Sequence, residues 1–382
     1  MRVLVLGGDG YLGWPTAMHL SARGHEVAVV DNYLRRRLCR ELDVEPLFEV
    51  PNLHDRVRLW EAISGHKVNL LIGDLIEWEF VVEVFSKFKP DAIIHYAEQP
   101  SAPYSMLNRR AATLTLQNNL LVTANVIFAV REFAPSAHII KLGTMGEYGT
   151  PNIDIEEGWI DIQHKGRRER FLYPRQAGSL YHTTKIMDTD LLWFYVRMWN
   201  LAVTDLMQGP VYGLITEEST EDSRLLPFFN YDEIFGTVLN RFIVQAVAGY
   251  PLTVYGRGGQ TRGYLNIKDT LSCVRLSLEN PARKGELRIF NQFVETFSVK
   301  ELAERVLKVG NSLGLGVRIQ SVENPRKEAE EHYYNPEHTG LLEIGLKPHY
   351  LTDEIIAEML EKVRLHQNAV QLHRICREVK WG

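Results

Sequence analysis

The chain opens with the apolar run Arg2–Leu6 and breaks at once into Gly7-Gly8-Asp9-Gly10-Tyr11-Leu12-Gly13. Glycine at 7, 10 and 13 permits a tight turn, close approach of backbone to a bound phosphate, and close packing of the next helix on the strand. The free N–H groups at the start of that helix carry partial positive charge toward the same phosphate. A glycine triplet alone is weak evidence. Set between a strand and an amphipathic stretch beginning at Leu12, it predicts a dinucleotide site.

The rest of the first half repeats this alternation. Strands are expected at Arg2–Leu6, Glu26–Asp31, Asn69–Gly73, Ala92–His95, His138–Leu142 and Ala202–Leu206. Helices are expected between them at Leu12–Arg23, Glu77–Phe88, Asn118–Phe133 and Tyr181–Trp199. Such a series predicts an α/β fold, a doubly wound parallel sheet of Rossmann type. Beyond residue 206 the regularity fades and recovers only as helical patterns at Ser298–Leu313 and Thr352–Gln367. The expected division is a cofactor domain over residues 1–206, with a returning segment at about 236–273. A smaller, irregular α/β substrate domain is expected from 207–235 and 274–382.

Asp31 closes the second strand, where a carboxylate accepts both ribose hydroxyls of NAD and repels the extra phosphate of NADP. The following Arg35-Arg36-Arg37 pulls the other way, since arginine can hold that phosphate. Asp31 is the directly placed residue and favours NAD, with Asn32 and Arg35 beside it. Gly73-Asp74-Leu75 stands where a carboxylate would meet the adenine end, or where Asp74 would cap a helix.

Tyr181 and Lys185 are four residues apart, hence on one helical face. A phenol is too weak an acid to act as a base near neutrality unless a cation favours its phenolate, which Lys185 and an oxidised nicotinamide would both do. Thr144, at the end of the fifth strand, can share a hydrogen bond with the hydroxyl that Tyr181 deprotonates.

This set, with Asn118-Asn119 and Val211-Tyr212-Gly213, resembles the extended short-chain dehydrogenase/reductase superfamily over nearly the whole chain. Its members include UDP-galactose 4-epimerase and nucleotide-sugar 4,6-dehydratases. The resemblance implies NAD against Gly7, Gly10, Tyr11, Leu12, Gly13, Asp31, Asp74, Leu75, Asn118 and Lys185. Typical 4,6-dehydratases carry an Asp-Glu pair directly after the threonine. Here Met145-Gly146 stands in those places and Glu147 follows.

A narrower resemblance is to the UDP-sulfoquinovose synthase family. It rests on Ser101-Ala102-Pro103-Tyr104-Ser105-Met106, on the run from Lys141 to Gly158, on Gly259 to Tyr264, and on Glu328 to Asn335. It implies formation of UDP-sulfoquinovose from UDP-glucose and sulfite, through C4 oxidation, loss of water across C5 and C6, sulfite addition at C6 and C4 re-reduction. NAD would stay tightly bound and be recycled. Glu147 and His182 are the candidates for acid and base, with Met145 lining the C6 side. Gln208, Asn240, Arg241, Tyr255, Arg262 and Arg326 are the expected UDP-sugar contacts. Where the family has an Arg after Glu98-Gln99, this chain has Pro100, for which Arg109 or Arg262 could compensate. The alternatives are a UDP-glucose 4-epimerase or a 4,6-dehydratase on the same scaffold.

Other classes are disfavoured. A net charge of −5 gives no basic field for nucleic acid or an anionic membrane. Three scattered cysteines support neither a disulfide framework nor a zinc site. The apolar cluster Leu191–Val196 is too short to span a bilayer. With no signal peptide or transit peptide read at the start, the expectation is a cytoplasmic enzyme of prokaryotic form. Family habit implies a homodimer through Asn118–Phe133 and Tyr181–Trp199.

Overall fold

The computed structural model describes residues 1–324 and 332–375. Its centre is a sheet of seven strands: β1 (Arg2–Leu6), β2 (Glu26–Asp31), β3 (Val68–Ile72), β4 (Ala92–His95), β5 (His138–Thr144), β6 (Ala202–Gln208) and β7 (Glu286–Gln292). They lie in the order β7-β6-β5-β4-β1-β2-β3, every neighbouring pair parallel. Parallel strands are covered on both faces, so apolar runs replace alternation. Along β1 and β4, Leu4, Leu6 and Ile93 enter the core on one face, with Val81, Phe85, Val126 and Val130. Val3, Val5 and Ile94 enter the other, with Trp14, Ala17, Met18 and Cys273. The order reverses between β1 and β4, and the crevice beyond the strand ends at such a point is where this architecture takes ligands.

Strand boundaries differ little from expectation, but two features of the connections do. Helix Arg109–Phe133 starts nine residues before Asn118, because the Asn108 side chain accepts the Ala111 N–H at 3.0 Å and caps an earlier start. It is the one helix among the described residues long and apolar enough to cross a membrane. Here its Val122, Val126, Ile127, Ala129 and Val130 pack against the sheet. Two helices not expected from the pattern, Leu34–Leu42 and Leu53–Ser64, fill the connection from β2 to β3. The basic run Lys165, Arg167, Arg168 forms the exposed tip of an antiparallel hairpin, Trp159–His164 with Arg167–Leu172.

The domain division also needs correction. The segment that returns to the large sheet is β7, which pairs with β6 from Glu286↔Ala202 to Gln292↔Gln208. Its charged Glu286 and Arg288 disguise an edge strand, although Leu287, Ile289 and Phe290 are buried. Helix Val238–Val247 instead packs in a second core, where Phe242 and Ile243 meet Leu302 and Val306 of Val299–Ser312 and Ile356, Leu360 and Val363 of Asp353–Arg364.

Asn291 on β7 stitches three segments together. Its N–H donates to Glu157 at 2.8 Å, its side-chain NH2 to the Glu337 carbonyl at 2.7 Å, and its Oδ1 accepts the Tyr148 hydroxyl at 2.9 Å. Asn291→Ala strands a fully buried hydroxyl and a carbonyl, and should lower the unfolding free energy by about 2–3 kcal/mol. Urea unfolding checks this: a loss under about 0.5 kcal/mol would show that these groups find other partners.

Candidate active site

At the end of β1 the backbone turns through Gly7 at φ +85°. A Cβ there would lie 2.8 Å from the Tyr96 backbone, and one on Gly13 would lie 2.0 Å from the Gly7 carbonyl oxygen. No other residue fits at Gly13, so the first turn of helix Gly13–Ala22 sits directly against the loop. Tyr11 donates its hydroxyl to the Gly213 carbonyl at 2.5 Å, joining this loop to the second half. Asp9 is buried and ion-paired, taking two hydrogen bonds from Arg36 at 2.6 and 2.8 Å, with Arg56 at 3.7 Å. Arg37 donates to the Asn32 carbonyl. Arg35 lies 3.8 Å over the Phe235 ring in the cleft wall. The three arginines therefore do not converge as a phosphate clamp.

Asp31 accepts the Asp9 N–H at 2.9 Å and the Tyr33 N–H at 2.7 Å. Burial, and next the Asp9 carboxylate, push it up to about 6. Asn32 donates to Asp74 at 3.0 Å, and Asp74 in turn accepts the Ile76 N–H at 3.0 Å. Asp74 is thus both a turn cap and a cleft residue. Gly7, Gly10, Tyr11, Leu12, Gly13, Asp31, Asn32, Arg35, Asp74, Leu75 and Asn118 all border one cleft of about 700 Å³ at the sheet reversal. Close glycines, an acceptor at Asp31 and a helix N-terminus fit a dinucleotide.

The same cleft continues to Thr144, Met145, Gly146, Tyr181 and His182. Ser179 caps helix Leu180–Trp199 by accepting the His182 N–H at 3.2 Å, and Ser105 accepts the Tyr181 N–H at 3.1 Å. Lys185 lies just behind the wall, 2% exposed, its ammonium 2.5 Å from Glu98. Burial opposes the Lys185 charge, but Glu98 and Asp188 outweigh it and hold its pKa above the ordinary lysine value. The Tyr181 phenol is pushed well up by burial first and by the Glu98 carboxylate second.

Glu147 is not where an acid or base for the cleft would have to be. It is fully buried and belongs to a layer beneath the site, 3.6 Å from Lys141 and 3.7 Å from Arg175, accepting Thr189 Oγ1 at 3.2 Å. The reason is local. Met145–Glu147 is a single 3-10 turn closed as a capping box, in which Glu147 turns back to the Thr144 N–H at 3.4 Å. The spacing Thr144-x-x-Glu147 carries that alternative in the sequence itself. His182 does face the cleft: a Cβ on Gly146 would lie 2.3 Å from its Nε2, and Ser179 Oγ holds its Nδ1 at 3.0 Å. The imidazole therefore lies where a side chain at position 146 would stand.

In the second half, Gln208, Arg241, Tyr255 and Arg262 border the cleft. Arg241 pairs with Glu233 at 3.1 Å and stands 5.5 Å over the Tyr255 ring. Arg262 lies 3.0 Å from His332 Nε2. Asn240 is a brace away from the cleft: it accepts the Gly213 N–H at 3.2 Å and donates to Tyr11 at 3.2 Å. Arg326 falls outside the described residues. Pro100 is in the cleft wall; of the two suggested replacements for the family Arg, Arg262 borders the cleft and Arg109 is exposed at a helix start. Sequence reasoning missed Glu98, Gln99 and Gln260 as cleft residues.

The chain belongs to the NAD dependent epimerase/dehydratase family, whose model matches residues 3–291. Within it the chain falls with the UDP-sulfoquinovose synthases. It is 50% identical over 380 residues to the chloroplastic UDP-sulfoquinovose synthase of Spinacia oleracea, covering 100% of this chain and 79% of the relative. It is 46% identical over 384 residues to the UDP-sulfoquinovose synthase of Sulfolobus acidocaldarius, covering 100% of this chain and 98% of the relative. Among solved structures, the Thermus thermophilus UDP-glucose 4-epimerase complex with NAD shares the fold, with TM-score 0.68 and 23% identity over 95% of this chain and 99% of that one. The cofactor is NAD.

A ribose-binding role for Asp31 predicts pH-dependent cofactor binding: NAD affinity should be constant above about pH 7 and fall as pH drops through about 6. The expected slope below 6 is up to about tenfold per pH unit. Calorimetry on NAD-free protein checks it; an unchanged affinity from pH 7.5 to 5, or the same slope in Asp31→Asn, would contradict it.

Proposed function

We propose that this chain makes UDP-sulfoquinovose from UDP-glucose and sulfite, and that Thr144, Tyr181, Lys185 and His182 carry the chemistry. The observation behind the assignment is the floor of the cleft after Thr144. The turn Met145–Glu147 directs no carboxylate into it, and the His182 imidazole occupies the space beside Gly146.

The glycine loop and Asp31 would hold NAD, which would supply a hydride acceptor and donor for C4. Tyr181, aided by Thr144 and by the Lys185 charge, takes the O4 proton as the C4 ketone forms. The ketone acidifies C5–H. His182 removes that proton and delivers it to the C6 hydroxyl, which leaves as water and gives a conjugated enone. The sulfur lone pair of hydrogen sulfite forms the C6–S bond, its proton passing through His182 to C5. Tyr181 then returns the O4 proton as C4 is reduced. The sum is UDP-glucose plus hydrogen sulfite giving UDP-sulfoquinovose plus water, with no net redox change.

Arg241, Arg262 and Tyr255 bind the UDP end, where guanidinium groups suit a diphosphate. The enzyme works in the cytoplasm, in keeping with the free, buried thiols of Cys39 and Cys273. It acts as a homodimer through its two long helices, which expose Leu121 (47%), Phe128 (36%), Met187 (42%), Phe194 (47%) and Met198 (59%).

The test is product analysis by mass after incubation with UDP-glucose, with and without sulfite. With sulfite the product should be a C6 sulfonate, its formation slowed about 10²-fold or more in Tyr181→Phe. UDP-galactose without any sulfonate would overturn the reading in favour of an epimerase.

A further inference from the structure

Glu98 stands three residues beyond the end of β4, in the cleft wall, with its side chain only 5% exposed. A carboxylate in such a place is stable only when paired. One oxygen receives the Lys185 ammonium at 2.5 Å; the other is buried without a hydrogen-bond partner.

Among the described residues, no other carboxylate is in ion-pair contact with the Lys185 ammonium. From β4, His95 Nε2 approaches Glu98 to 4.0 Å, but it is also hydrogen-bonded to Thr123 at 3.1 Å, and burial holds its pKa down at about 4, so it is neutral. On the helix, Asp188 is fully buried, and burial, then Glu98, push its pKa well above the carboxylate range. On β5 and β6, Lys141 and Asp205 face each other at 3.4 Å, and Glu147 at the turn lies 3.6 Å from Lys141. Glu98 is thus the carboxyl group in direct contact with Lys185. A lysine ammonium is a mobile point charge that burial tends to neutralise.

We propose that Glu98 is a positioning residue for the redox pair: it keeps Lys185 charged and holds its ammonium in one place beside Tyr181. The proposal rests on Tyr181 and Lys185 being the pair that moves the O4 proton. Replacing the carboxylate by an amide removes the counter-charge that favours the ammonium over the neutral amine and leaves the side chain free to move. Proton transfer at Tyr181 then slows, while the UDP contacts at the far end of the cleft are untouched.

The experiment uses full-length, NAD-loaded protein labelled with 15N-lysine. At neutral pH the wild type should show a slowly exchanging ammonium signal that is absent from Lys185→Met and so distinct from that of the equally buried Lys141. Glu98→Gln should lose that signal and lower kcat about tenfold or more, with KM for UDP-glucose within about threefold. Glu98→Asp, which keeps the charge on a shorter arm, should recover most of kcat with a faster-exchanging signal. If Glu98→Gln keeps the ammonium signal and near-wild-type kcat, the proposal fails. Should Glu98→Gln not fold, an exchange rate in Glu98→Asp equal to wild type would overturn it equally. The NMR arm needs no turnover, so its result stands apart from whether the product is a sulfonate.

Discussion

Gly13 and the Gly7 carbonyl are in such close contact that a Cβ on Gly13 would fall 2.0 Å from that oxygen. This contact seats the first helix against the end of β1, where the strand order reverses, and so aims the helix N-terminus into the crevice. Much of the surrounding structure serves to keep the loop there. Asp9 is anchored by Arg36 and Arg56, Asp31 accepts the Asp9 N–H, and Tyr11 is tied through Gly213 and Asn240 to the second half. The cofactor end of the cleft is a rigid consequence of that packing.

The catalytic end depends on a second layer. Beneath Thr144 and Tyr181 lie Lys141, Glu147, Thr189 and Asp205, all fully buried, with Arg175 reaching Glu147 from the side. Buried charges of this kind rarely add much stability, because desolvation offsets their attraction. Their value here is geometric: the network fixes the Met145–Glu147 turn and the helix bearing Tyr181 relative to each other. A turn held from below can expose Met145 and Gly146 to the cleft and leave room for His182.

What the sequence made legible follows from distance along the chain. The glycine loop, Asp31 at a strand end and Tyr181 with Lys185 at helical spacing are local patterns, and all fall on or beside one cleft. Glu147 was misread because a capping box and a catalytic acid use the same residue, and only the turn's closure decides between them. Glu98 was passed over because its partner lies 87 residues away. Asn240 and Arg109 were placed at the cleft by analogy of sequence, yet one braces a loop and the other is exposed. Strand β7 escaped notice because an edge strand tolerates Glu286 and Arg288 in alternation.

In the proposed reaction, oxidation at C4 is transient and serves to open C5 and C6 to dehydration and sulfite. Isotope tracing can follow both carbons. UDP-glucose deuterated at C4 is converted with sulfite in ordinary water, and unlabelled UDP-glucose in heavy water, and the product is read by NMR. The account predicts that the C4 deuterium stays at C4 and that a solvent deuterium appears at C5. A sulfonate formed with C4 deuterium lost, or with C5 hydrogen untouched by solvent, would contradict it.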